Sequence, residues 1–97
     1  MTSGPEPVGT LDVALAHAEK LLVSQPDLAA EQAREILGAV PNHPAATLLL
    51  AMARRRSNDV AEALRILEPL AASQPRWAAA HRELGLALGD AGRGEEA

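Results

Sequence analysis

Apolar residues recur at three- and four-residue steps in five separate stretches of the chain, a spacing that gathers them on one face of a helix each time. In the first stretch, about 11–23, Leu11, Ala14, Leu15, Ala18, Leu21 and Leu22 make one stripe. Thr10 is placed to cap it, Asp12 suits the positive end of its dipole, and Ser24-Gln25-Pro26 ends it, since proline disfavours helix in the residue before it. The second stretch, about 28–39, takes Asp27 as its N-cap. It carries Ala29, Ala33, Ile36, Leu37 and Val40 inward and Glu31, Arg34 and Glu35 outward, and Gly38 and Pro41 close it. The third opens on Pro44, a favourable first-turn residue, and runs through Leu48, Leu49, Leu50, Ala51, Met52 and Ala53 to Arg56. Asp59 caps the fourth, with Glu62 as its capping-box partner and Ala63, Leu64, Leu67, Leu70 and Ala71 as its buried face. Pro69 falls inside that pattern and predicts a bend, because it removes one backbone hydrogen bond. The fifth, about 78–91, carries Leu84, Leu86, Ala87 and Leu88, and Gly89, Gly92 and Gly94 stop it. Glu95-Glu96-Ala97 reads as the first turn of a sixth.

The second half of the chain repeats at 34 residues: Pro41 falls on Pro75, Leu50-Ala51 on Leu84-Gly85, and Ala63 on Ala97. Two amphipathic helices in that period resemble a tetratricopeptide repeat array. The family places a Leu beside a small residue in the first helix of each hairpin, so that the second helix approaches closely; Leu50-Ala51 and Leu84-Gly85 fit. Ala63, Leu67 and Leu70 fit its second helix, and Pro75 its terminal proline. Its aromatic slots hold Thr47 and His81 early and Arg54 and Leu88 late, which implies a leaner core. The first hairpin matches through Ala29, Ala33 and Ile36, but its first helix needs about two extra residues in the turn at 24–27. The resemblance covers about 8–97 and implies an all-α fold, antiparallel helix hairpins stacked as a right-handed solenoid. The hairpins span about 11–41 and 44–75, with an incomplete third at 76–97, after a disordered polar leader at 1–10.

The resemblance further implies a non-enzymatic module that binds a protein or peptide on its concave face, which the first helices line. Carried over by position, Leu48, Leu49, Met52, Arg55 and Arg56 face the groove, and Arg82, Glu83 and Leu86 face it from the next repeat, with Ala45, Ala79 and Asp90 beside them. Such a surface, apolar at one end and of mixed charge at the other, accepts an apolar helix or an extended peptide. Charging Leu49 and Met52 should then abolish capture without unfolding. The competing reading packs Leu48, Leu49 and Met52 against other helices. A chaperone-type carboxylate clamp is set aside, because its slots hold Leu48, Leu49, Met52, Glu83 and Leu86 and only Arg82 has the right charge. The Ala/Leu-rich phrases at 67–72 and 80–88 also resemble bacterial tetratricopeptide regions that precede sulfotransferase or glycosyltransferase domains. The chain therefore also reads as the arm of a larger enzyme. Solenoids need capping repeats to stay soluble, so an uncovered fifth helix implies either further chain or a symmetric dimer.

Composition narrows the chemistry. The chain of 97 residues is 47% apolar with a single aromatic, so Ala and Leu, both strong helix formers, fill its interior. It has no Cys, which excludes disulfides and thiolate sites. Its net charge of −4, with no basic face, speaks against nucleic acid. No stretch approaches the ~18 apolar residues of a membrane span, and residues 1–10 lack an export signal, so the location reads as cytoplasmic. Arg54-Arg55-Arg56 either complements the negative end of its helix or binds a phosphate or acidic peptide. His17, His43 and His81 lack metal-pair spacing, Ser24, Ser57 and Ser73 sit in turns, and no Gly-rich phosphate loop exists. No metal, no cofactor and no catalytic constellation are expected. Trp77 either staples the turn between hairpins or stands exposed as a binding anchor.

Overall fold

The computed structural model describes residues 7–92, with side chains from residue 11 onward. Five helices follow one another: α1 (Pro7–Ser24), α2 (Pro26–Ala39), α3 (Pro44–Arg56), α4 (Val60–Ser73) and α5 (Ala78–Asp90). The expected all-α hairpin stack is what forms. Helices α2 and α4 have 14 residues each and begin 34 apart, at Pro26 and Val60. Helices α3 and α5 have 13 each and begin 34 apart, at Pro44 and Ala78.

The first hairpin departs from this frame. Its turn is shorter than expected, not longer: α1 runs to Ser24 and Gln25 alone links it to α2, whereas residues 57–59 link α3 to α4. The surplus residues therefore prolong a helix rather than a loop. At its other end α1 begins at Pro7, four residues before Leu11, because proline is well suited to a first turn that has no use for its missing amide. Thr10 thus lies inside α1, not at its cap. The rest of the expected leader, residues 1–6, lies outside the described residues, as do Gly94 and the expected start of a sixth helix.

The caps show which polar residues hold the turns. Asp27 is not the N-cap of α2; Gln25 is, without a side-chain bond, and Asp27 sits in the first turn, where its charge favours the helix dipole. Its Oδ1 accepts a hydrogen bond from Ser57 Oγ at 2.8 Å, tying the start of α2 to the next turn. His43 caps α3, its Nδ1 accepting the Ala46 amide at 3.2 Å, while Thr47 Oγ1 donates back to the His43 carbonyl at 2.8 Å. Asp59 caps α4 as expected, accepting the Glu62 amide at 3.3 Å. The return half of the capping box is replaced: the Asp59 amide donates to the Arg54 carbonyl at 2.8 Å, and Glu62 pairs with Arg65 at 3.2 Å. Helix α4 continues through Pro69 to Ser73, because that proline removes only the bond the Arg65 carbonyl would accept. Asn42 and Asn58 turn the chain with φ of 66° and 69°, the left-handed region that asparagine tolerates best after glycine, and Gly92 does so after α5 at 77°.

Two apolar clusters make the interior, and α3 belongs to both. One joins Ala18 and Leu22 of α1, Ala29, Ala30 and Ala33 of α2, and Leu49 and Ala53 of α3. The other joins Leu48 and Ala51 of α3, Ala63, Leu64, Leu67 and Leu70 of α4, and Ala80 and Ala87 of α5. The buried face predicted for α4 forms residue for residue. In α2, Ile36 is buried as expected, but Leu37 is only partly covered and Val40 is exposed. The lean core is also observed: Leu67 is the one large side chain fully buried among the described residues. Trp77 packs, partly buried, against the second cluster.

Leu67→Ala should therefore cost about 3 kcal/mol in urea unfolding, since nothing else of its size fills that space. His43→Ala should cost about 1 kcal/mol, the value of a lost N-cap.

Candidate partner-binding face

The pattern of helix contacts separates two layers. Each helix packs on its neighbours in sequence, and in addition α1 touches α3 and α3 touches α5, whereas α2 and α4 do not touch. The helices that meet, α1, α3 and α5, form the layer of first helices, the one that the resemblance assigns to the inner side. The odd-numbered helices thus carry the surface that the sequence resemblance assigns to ligand contact.

Of the residues expected there, Leu48 and Leu49 are spent on the core, 8% and 5% exposed. Successive positions on α3 point 100° apart, so with α1 and α2 on one side and α4 and α5 on the other, Leu49 enters the first cluster and Leu48 the second. Met52 lies between the clusters and touches both, partly exposed. Leu86, at the same position one repeat later, is 44% exposed. Arg56 and Arg82 are exposed and make no ion pair among the described residues.

Arg55, Glu83 and Asp90 come together across α3 and α5. Both Nε and Nη2 of Arg55 lie 3.3 Å from Glu83 Oε1, and Nη1 lies 3.0 Å from Asp90 Oδ2. The side chains of Arg55 and Glu83 are 16% and 5% exposed, and that of Asp90 45%. Glu83 is the one buried charged residue among those described. A carboxylate so covered is tolerable only beside its guanidinium, and removing one partner of such a pair costs on the order of 3–5 kcal/mol. The half-exposed contact to Asp90 contributes at most about 1 kcal/mol. Sequence reasoning put all three on the groove but did not pair them; opposite charges on facing stripes of consecutive first helices were the available signal.

Elsewhere the surface offers little chemistry. Among the described residues no three His, Asp or Glu side chains converge as a metal site, and no helix is long and apolar enough to cross a membrane. A shallow groove of about 460 Å³ lies between the start of α3 and the end of α4, bounded by Pro44, Thr47, Pro69 and Leu70, and none of the residues expected to contact a partner lines it.

Helix hairpins repeating at 34 residues, with small residues at the crossings and a concave layer of first helices, define a helical repeat protein of the solenoid kind. A family model described as tetratricopeptide repeat matches residues 16–88, and the chain belongs to that family. Such repeats are generally protein-interaction modules. No curated protein and no solved structure matches the chain.

Arg55→Met should destabilise the fold by about 3 kcal/mol and Asp90→Asn by less than about 1 kcal/mol in urea titrations. Adding Glu83→Leu to Arg55→Met should recover a large part of the loss, because the stranded charge is gone.

Proposed function

We propose that this protein captures a protein or peptide partner on the concave face of α3 and α5, with Met52 and Leu86 as the apolar centre and Arg56 and Arg82 exposed around it. The observation that carries this reading is Leu86, a leucine left 44% open on the layer that a solenoid of this kind presents to ligands. Leu48 and Leu49 belong to the scaffold under that surface. Charging Leu49 is therefore no test of binding, since a buried charge at 5% exposure would unfold the domain. Leu86→Asp is the informative variant, because an exposed site accepts charge without loss of packing. Affinity purification from the native host should recover a partner with the wild-type chain and with Leu28→Asp, an exposed control on α2 (42% open), and lose it at least about tenfold with Leu86→Asp. Equal recovery by all three would reject the concave-face reading.

A second reading draws on Gly85. Its repeat mate Ala51 is fully buried under α4, but a side chain added at Gly85 would meet nothing within 4 Å, and Leu84 and Leu88 beside it are only partly covered. The close helix approach expected at Gly85 is thus not made within the described residues. A second copy or another helix fits that face. Light scattering that finds a dimer in the wild type and a monomer in Gly85→Glu supports self-association; a monomer in both removes it.

A further inference from the structure

We propose that Arg55 is a covered anion-binding residue, and that the partner on the concave face carries a carboxylate which takes the place of Asp90. The proposal rests on the concave-face reading and names the chemistry of its ligand: an acidic side chain next to an apolar one.

The guanidinium of Arg55 is divided between two unlike carboxylates. Glu83, with a side chain 5% exposed, holds Nε and Nη2 through one oxygen. It does not leave, because its departure would strand a buried charge. Arg55 is thereby aimed in advance, which spares a ligand the cost of ordering a long side chain. Asp90 holds only Nη1, at 3.0 Å, from a side chain 45% open to solvent. It is also the last residue of α5, where the helix presents carbonyl groups and a negative dipole end that disfavours a carboxylate. Asp90 is thus the weakly held partner, and turning it into solvent breaks one exposed contact.

Charge balance favours an anion as the replacement. Arg55 with Glu83 is neutral, so exchanging the Asp90 carboxylate for a partner's leaves the buried part unchanged. Arg56 follows Arg55 in the chain, is exposed, and pairs with nothing among the described residues. It adds attraction that Asp90 alone does not use up. Leu86 stands one helical turn before Asp90 on α5, so the apolar seat and the anion seat are about 6 Å apart. In an extended segment an acidic residue two positions from a leucine shares its face and spans that distance, about 6.6 Å.

The test uses three fluorescein-labelled dodecapeptides of three Leu-Ser-Xaa-Ser repeats, with Xaa as Glu, Gln or Lys so that Leu and Xaa share one face of an extended segment, titrated against the full chain by fluorescence anisotropy. The Glu peptide should bind tightest and weaken with added salt. Asp90→Asn should tighten the Glu peptide about fivefold and leave the Gln peptide unchanged. Circular dichroism and urea unfolding establish that the variant is folded. An Asp90→Asn chain that binds the Glu peptide no better than wild type, or shows no saturable binding of it, overturns the proposal. Glu and Gln peptides that bind alike, both lost in Leu86→Asp, would remove the acidic ligand and keep the groove. Peptide binding indifferent to Leu86→Asp would remove the groove itself.

Discussion

The fold depends on how closely its helices approach, and alanine sets that distance. Ala18, Ala29, Ala33, Ala46, Ala51, Ala53, Ala63, Ala80 and Ala87 are fully buried, and most stand where one helix meets the next. A methyl group is the whole side chain at these crossings, so backbones come near enough for the few leucines to reach across. No ring is fully enclosed among the described residues, Trp77 packing only at the edge of the second cluster, and Leu67 alone supplies a large, fully buried side chain. Helix α3 is where the constraint is most severe, because it buries opposite flanks in two different clusters. The consequence is that Ala46, Leu48, Leu49, Ala51 and Ala53 of the central helix are spent on packing, and the rest of its residues stay partly or fully open.

That remainder is polarised. Met52, between the clusters, and Leu50 beside it are apolar and partly open, and Arg54, Arg55 and Arg56 make the charged part at the end of α3. Helix α5 answers with Leu86 beside Asp90 and with Glu83 beneath. The buried Arg55–Glu83 pair joins the two first helices directly, in a stack where most other contacts pass through the intervening α4.

Much of this was legible in the chain. The 34-residue echo of Leu50-Ala51 in Leu84-Gly85 gave the hairpin period, and the α4 stripe gave its buried face without error. What escaped reading has identifiable causes. A cap and a first-turn residue look alike in sequence, since both favour Asp, and Asp27 stands two positions past the actual cap, Gln25. The imidazole of His43 competes as a cap only when its ring is turned onto the amide of Ala46, which spacing does not reveal. Asn42 and Asn58 carry the left-handed turns, a preference that glycine advertises more loudly. Leu48 and Leu49 were assigned to the groove because periodicity on one helix cannot tell that helices flank it on both sides.

One asymmetry in the stack has a mechanical meaning. Helix α3 touches both α1 and α5 in one layer, while α2 and α4 stand apart in the other. The described molecule is long, 59 Å by 28 Å by 18 Å. Flexing that changes the gap between α2 and α4 breaks no contact between them, whereas compressing the layer of α1, α3 and α5 works against packed atoms. The stack thus behaves as a leaf spring that opens more readily than it closes, and a bulky partner meets a softer response than a small one.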